Sequence, residues 1–340
     1  MAASLSSSRP TPEHIFQTLI AHQQTAVLKT GIELDVFTAI DEGNHRVENI
    51  ADFVKTSQRG VRILCDYLTV MGYLSKENGK YSLSPDAALF LSKRSPAYMG
   101  TIAEFLSNEA HYKNLARLTE AVKRGGTPSD KGDNLKPNDE FWVSFARSMG
   151  PLMVPAALFI ADLVRAEEGR PMRVLDIAAG HGTFGITIAK QNRHATVTAL
   201  DWRAVLQVAS ENAERAGVAD RYVPLPGSAF EAELDEDYDV VLLTNIFHHF
   251  DPDTCVRLMK RVYRALKFDG TAVTLEFVPN EDRVTPPAAA TFSLQMLTQT
   301  DAGDAYTFSE YEDMFQKAGF GRNTLHPIPA APQQVIVSEK

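Results

Sequence analysis

The sequence is poor in the residues from which metal centres and disulfide frameworks are built. Of 340 residues only two are cysteine, Cys65 and Cys255, and the histidines include no H-x-x-x-H pair. No metal site is therefore expected, and two isolated cysteines suggest a reducing compartment. Basic residues are in the minority: 34 Lys and Arg against 43 Asp and Glu leave a net charge of −9 and a pI of about 5.5. That balance argues against a general polyanion binder. No apolar run approaches the roughly 20 residues that cross a bilayer. The opening MAASLSSSRPTP lacks the apolar core of a signal peptide and reads as a frayed tail. The expectation is a soluble, cytosolic protein with no membrane partner. Internal repeats and low-complexity tracts are also missing. What remains is ordinary globular composition, 44% hydrophobic and 23% charged, which excludes a disordered or collagen-like chain. A chain this long predicts more than one domain.

Three segments can be distinguished, 1–95, 96–168 and 169–340. From Pro12 to about Ile40 apolar residues recur at helical spacing, among them Ile15, Leu19, Val27, Leu28, Leu34 and Phe37. Ile50, Phe53 and Val54 mark a short helix, TSQRG a turn, and Val61, Leu64, Leu68 and Met71 the stripe of a second helix. GYLSKENGKYSLS then alternates around Glu77-Asn78-Gly79, a hairpin signal. Helix, turn, helix and hairpin describe a winged helix. The middle segment is helical, interrupted by the polar loop RGGTPSDKGDNLKPND. From Met172 the period changes: MRVLDIA, ATVTALD, RYVPLP, YDVVLLT and GTAVTLEFV read as buried strands, most of them separated by amphipathic helices. That alternation predicts an α/β, Rossmann-like doubly wound sheet. The tail NTLHPIPAAPQQVIVSEK reads as two more strands around a proline-containing loop.

Between the first strand and its helix stands Ala178-Ala179-Gly180-His181-Gly182-Thr183. A glycine turn there lets the backbone approach a ligand, and the helix N-terminus offers free N–H groups. Asp201 ends the second strand, 25 positions after Asp176, where a carboxylate takes the hydroxyls of a ribose. The turn alone reads equally well as a tight connection. A dinucleotide reading is less favoured, because no G-x-G-x-x-G is present and Asp176 would face a pyrophosphate.

Asp176-Ile-Ala-Ala-Gly-His-Gly182, Asp201 and the later LLTNIFHHFDPDTC resemble the class I S-adenosylmethionine-dependent methyltransferases. More narrowly, nearly the whole chain resembles the winged-helix small-molecule O-methyltransferases, which include plant caffeic-acid-type and bacterial polyketide- and pigment-modifying enzymes. The resemblance implies S-adenosyl-L-methionine as cofactor. Gly180 and Gly182 would lie beneath its methionine part with Asp176 nearby, Asp201 would take the ribose, and Trp202 would cover the adenine. Ser228, Ala229 and Phe230 in PGSAFEAEL would edge the adenine, and Thr244 and Asn245 would border the cofactor at the end of YDVVLLT. The chain departs from the family pattern at Ala178, where a glycine is usual, and at Ser228, where an acid is usual.

The same resemblance puts a general base at His248 and its orienting acid at Glu276. A carboxylate on one imidazole nitrogen fixes the tautomer and leaves the other to take a hydroxyl proton; imidazoles ordinarily titrate near pH ~6.5. Replacing Glu276 by Gln is expected to cost less than removing His248, since an amide still positions the ring. A histidine pair after this strand can also simply line a pocket, and Glu276 can cap a loop. The family's second acid falls near Phe308, so that carboxylate is missing, which leaves carbon methylation of a pigment-like ring as an alternative. Trp142, Phe145, Met149 and Met153 share a helical face that the family uses to wall off the acceptor; His249, Phe292 and Met296 join them. Each also reads as a core residue.

A winged helix raises a different class, a cofactor-binding transcriptional regulator. Residues 1–100 carry ten Lys and Arg against ten Asp and Glu, and the second helix holds Arg59 and Arg62 before turning apolar at Cys65, Tyr67 and Leu68. DNA binding needs a basic face. In the resembling family this domain pairs two chains, so a homodimer, a small-molecule acceptor and no nucleic-acid partner are expected.

Overall fold

The computed structural model describes residues 10–129, 140–329 and 331–340. The opening segment 1–9 and most of the expected loop at 124–139 lie outside the described residues. Contacts divide the chain into two compact units between Ser107 and Asn108.

The first unit runs α1 (Glu13–Ile20), α2 (His22–Glu33), α3 (Val36–Asp41), α4 (Val47–Phe53), α5 (Gln58–Val70), β1 (Leu74–Glu77), β2 (Lys80–Leu83), α6 (Pro85–Phe90) and α7 (Thr101–Leu106). Ser57 caps α5 by accepting the N–H of Gly60. The β1–β2 hairpin turns on Asn78 and Gly79, both left-handed (φ 50° and 75°), the pairing that a two-residue turn of type I′ demands. Thus α4, α5 and the hairpin supply the helix–turn–helix and wing. Their core gathers Val36, Phe37, Ile40, Ile50, Val61, Cys65, Leu68 and Tyr81. α1, by contrast, leaves Ile15, Phe16 and Leu19 more than 60% exposed.

The second unit opens with α8 (Glu109–Ala116), α9 (Leu118–Arg124) and α10 (Glu140–Leu163). α10 is 24 residues long, with a mean hydropathy of 1.4 over its most apolar stretch, so among the described residues one helix reaches the length and composition of a membrane span. The core helix of a folded unit has the same length and composition, and α10 holds no unbroken apolar run near 20 residues. Met153, Ala156, Ala157, Ile160 and Ala161 of α10 belong to the core, and the helix packs on those that follow the first two strands of the sheet. Then come β3 (Met172–Ile177), α11 (Thr183–Gln191), β4 (Ala195–Asp201), α12 (Arg203–Ala216), β5 (Tyr222–Pro226) and β6 (Tyr238–Thr244). The chain closes with α13 (Pro252–Ala265), β7 (Leu266–Glu276), α14 (Pro287–Ala290), α15 (Phe292–Gln299), α16 (Phe308–Ala318), β8 (Arg322–Pro327) and β9 (Gln334–Glu339).

Among the described residues seven strands form one sheet in the order β5-β4-β3-β6-β7-β9-β8, in which β9 alone runs against its neighbours. The central strands β3 and β6 are almost wholly buried because helices cover both faces, whereas the edge strands β5 and β8 are partly exposed. The chain winds outward through β3, β4 and β5, then returns to place β6 on the other side of β3. The crevice outside the carboxyl ends of β3 and β6 is the switch point where such sheets bind ligands.

Candidate active site

Four strand ends meet at that crevice: Asp176-Ile177 of β3, Asp201 of β4, Thr244 of β6 and Glu276 of β7. The turn after β3 is left-handed at Ala178 (φ 56°), Gly180 (φ 56°) and Gly182 (φ 74°). Gly182 is required twice, by its φ and because a Cβ would stand 2.7 Å from the Tyr222 hydroxyl. The Asp201 carboxylate ties this turn to β4, Oδ2 accepting the N–H of Gly180 at 2.8 Å and Oδ1 that of Trp202 at 2.6 Å. Loss of solvent pushes its pKa up to about 6. Each oxygen keeps a lone pair for a further donor. Asp176 is fully buried; its Oδ2 accepts from Gly185 N at 3.2 Å while Oδ1 has no partner, and burial pushes its pKa up to about 7.

The segment after β5 adjoins Asp201, since Gly227 N donates to the Asp201 carbonyl at 3.0 Å. Here Ser228 Oγ accepts from Phe230 N at 3.2 Å, Arg261 of α13 holds the Ala229 carbonyl at 3.1 Å, and the Phe230 ring meets Phe250 edge-on. Trp202 packs with Trp142 and Val143 against Ala146, Val205 and Val208. Thr244 is buried at the end of β6. Asn245 follows with a φ of 58°; its amide Nδ2 points to the Met153 sulfur at 3.7 Å and its Oδ1 accepts from Gln333.

His248 sits on the single turn Phe247–His249, buried, and Glu276 is buried completely. His248 Nδ1 lies 2.6 Å from Glu276 Oε2, while Glu276 Oε1 accepts the backbone N–H groups of Phe247 at 2.8 Å and His248 at 3.4 Å. A buried carboxylate so engaged fixes Nδ1 as the donor and leaves the lone pair on Nε2. The turn is braced from below by Gly303, whose added Cβ would stand 2.1 Å from the His248 carbonyl oxygen.

Rings run outward from this pair. His249 is 4.2 Å from His248 and meets Trp142 perpendicularly at 5.2 Å; Trp142 contacts Phe145 at 5.9 Å, and Phe145 stacks on His181 of the glycine turn at 6.2 Å. On the other side Phe292 meets His248 at 4.9 Å and stacks on Phe277 at 3.8 Å. Burial and the neighbouring His248 hold the His249 pKa well below the usual imidazole value, so it stays neutral. Met149 is half-buried between Phe145 and Met153 along α10, and Met296 is buried on α15. The structure therefore brings Trp142, Phe145, His249 and Phe292 into one wall with His248. Met149 and Met296 stand one helical turn beyond Phe145 and Phe292 on α10 and α15. Sequence reasoning passed over Phe277, His181, Tyr222, Gly303 and Gln333. Only the first two carried a signal, because they adjoin residues already singled out.

Two family models match the chain: an O-methyltransferase dimerisation domain over residues 16–93 and an O-methyltransferase domain over residues 149–321, just over half of the length. A solved Nostoc punctiforme protein assigned to the O-methyltransferases is 46% identical, with 98% of this chain and 100% of that one covered and a TM-score of 0.94. The 3-hydroxy-5-methyl-1-naphthoate 3-O-methyltransferase of Streptomyces sahachiroi is 27% identical over 94% of this chain and 93% of its own. The S-adenosyl-L-methionine-dependent methyl transferase PigF of a Serratia species is 24% identical over 97% and 96%. The chain belongs to the O-methyltransferase family and is an S-adenosylmethionine-dependent methyltransferase that carries the family's dimerisation domain.

Proposed function

We propose that this enzyme methylates a hydroxyl of a small aromatic or polyketide-like molecule, with His248 as general base and Glu276 as the residue that orients it. The observation that carries the reading is the 2.6 Å contact between His248 Nδ1 and Glu276 Oε2, set among the rings of Phe292, His249 and Trp142. An apolar aromatic wall suits a flat acceptor, and the one lone pair left on His248 suits its acidic proton. Phe145, Met149, Met153 and Met296 would complete the acceptor pocket.

The residues present fit the cofactor. Gly180 and Gly182 give a turn open to close approach, and Asp201 retains acceptor capacity for two hydroxyls. Trp202, Ser228, Ala229 and Phe230 would flank the adenine, with Thr244 and Asn245 at the methionine end. Bound there, S-adenosylmethionine supplies an electrophilic methyl on a cationic sulfur. The chain aligns the hydroxyl against it, which is chiefly a proximity effect, and removes the proton. In the first unit Arg62 is paired with Asp66 at 3.0 Å, which favours a dimerisation role over nucleic-acid contact. Two buried, unpaired cysteines favour the cytoplasm.

The test is a panel of hydroxylated aromatics and polyketides scored by S-adenosylhomocysteine release and by mass of the product. An O-methyl product formed only when His248 is intact supports the reading. A C-methyl product, or turnover indifferent to His248, overturns it.

A further inference from the structure

The turn that carries His248 is held at both of its ends. Glu276 takes the N–H groups at its start, and at its close the Phe250 carbonyl accepts the Tyr306 hydroxyl at 2.6 Å. Phe250 is tied back to the same turn, its N–H donating to the Phe247 carbonyl at 3.0 Å. The Cys255 thiol points at the Phe247 and Phe250 carbonyls from 3.5 and 3.8 Å, a far weaker donor than a phenol. Tyr306 is buried, and loss of solvent holds its pKa above the ordinary phenol value, so its proton stays available to donate. Its own backbone is fixed from either side. Upstream, Thr127 donates its N–H to the Thr300 carbonyl at 2.8 Å, and Thr300 Oγ1 accepts the Gly303 N–H at 2.8 Å. Downstream, Thr307 and Glu310 close a capping box on α16, while Arg283 reaches Glu310 at 2.5 Å and the Ala305 carbonyl at 3.4 Å. The Tyr306 ring meets Tyr311 of α16 edge-on at 5.7 Å. A donor on so constrained a carrier fixes the group that it holds.

We propose that Tyr306 is a positioning residue for the methyl transfer, its hydroxyl holding the Phe250 carbonyl so that the His248 ring stays in line with both Glu276 and the acceptor hydroxyl. This rests on the reading that His248 is the base. Glu276 by itself leaves the turn a pivot, because both of its oxygens engage the amino side of the turn and the ring that projects from it. A second hydrogen bond at the carboxyl side removes that freedom. Tyr306→Phe keeps the ring in the core and deletes only the donor, which leaves the Phe250 carbonyl facing the Cys255 thiol at 3.8 Å. The turn then swings on Glu276, and the Nε2 lone pair drifts from the proton that it has to take. A shift of a fraction of an ångström at the reacting group is enough to cost about tenfold in rate.

Proton NMR of the full-length enzyme carrying isotope-labelled histidine reads the geometry without any acceptor. The proton between His248 Nδ1 and Glu276 should give a downfield imidazole signal, identified by its loss in His248→Ala. In Tyr306→Phe that signal should move upfield and exchange with water about tenfold faster. Tyr238→Phe, which alters another buried tyrosine at the amino end of β6, should leave it in place. Kinetics on the hydroxylated aromatic that turns over fastest in the panel supply the second readout. Tyr306→Phe should lower kcat about tenfold with an unchanged Kd for S-adenosylmethionine, and by less than about twofold when added to His248→Ala, since both changes act on one group. No downfield signal in the wild type, an unmoved signal in Tyr306→Phe, an equal shift in Tyr238→Phe, or a loss that adds in full to that of His248→Ala overturns the proposal. Full turnover in His248→Ala would overturn the base reading instead, whatever Tyr306→Phe does to the signal.

Discussion

The Glu276 carboxylate grips His248 from two sides, through its ring at Oε2 and through the backbone of its turn at Oε1. This doubles what the sequence suggested and changes one expectation. In Glu276→Gln the amide oxygen takes the place of Oε1, because two backbone N–H groups demand an acceptor there. The NH2 group then faces Nδ1, which forces the ring proton onto Nε2, the wrong tautomer for a base. We expect His248→Ala to lower kcat by about 10²–10⁴ and Glu276→Gln to fall within about tenfold of it, with cofactor affinity unmoved in both. Steady-state kinetics on the acceptor found by screening, with calorimetry of cofactor binding, checks the ordering. A Gln variant near wild-type rate would show that the tautomer is not set here.

Gly303→Ala tests the brace beneath the turn. A methyl would meet the His248 carbonyl oxygen at 2.1 Å and the His249 carbonyl carbon at 2.9 Å, both backbone atoms that cannot swing aside. A displacement of about 1 Å at the reacting group costs on the order of 10² in rate. The expected outcome is that loss in kcat with an unchanged Kd for S-adenosylmethionine. Retained turnover would mean that the 300–307 segment yields instead.

Ala178 adopts a left-handed backbone at the position where the resembling family has glycine. An L-residue there is strained by about 1–2 kcal/mol, part of which glycine forfeits to its larger unfolded-state entropy. Ala178→Gly should raise stability by up to about 1 kcal/mol in urea denaturation. A destabilised variant would show that the Ala178 methyl is needed for packing.

The unliganded enzyme should lose thermal stability as pH rises from 5 to 8. Asp176 and Asp201 have pKa values raised to about 7 and about 6 in the fold. Both lie above the value of about 3.9 for an unfolded aspartate. The folded state therefore binds more protons, and the stability they contribute, complete at low pH, disappears through these two values. Scanning calorimetry should show a falling Tm, with a shallower slope in Asp176→Asn. Equal slopes would locate the effect elsewhere.

Ile15, Phe16, Leu19 and Ile20 leave α1 with an apolar surface that its own unit does not cover. With a dimerisation domain matched over residues 16–93, we expect a homodimer by light scattering at micromolar concentration. The double substitution Ile15→Glu, Leu19→Glu should shift it toward monomer. A dimer unaffected by the pair would place the contact on another face.

Much of the sheet was legible because its strands are short β-branched runs and its helices amphipathic, so period alone separates them. The hairpin was legible from Asn78-Gly79. The His248–Glu276 pair was visible only through family resemblance, since 28 residues separate them and no local pattern links the ends of β6 and β7. Gly303 and Tyr222 were illegible for a different reason. Their importance lies in the atoms that approach them from distant strands and turns, and an isolated glycine in DAGDA carries no sign of that.

Strand β9 lies between β7 and β8, and its residues Gln334–Glu339 pair along β7 from Thr271 to Glu276. During synthesis β7 leaves the ribosome with one edge bare, and more than fifty residues follow before its partner is made. Until then the strand that ends at Glu276 is paired on its β6 side alone. The half of the site proposed to bind the cofactor, on β3 and β4, can assemble on the nascent chain, while the half proposed to remove the proton lies on a strand whose second partner comes last. The enzyme would thus acquire a grip on its methyl donor before it can use it, and a chain stalled before residue 334 would be an inert competitor for that donor.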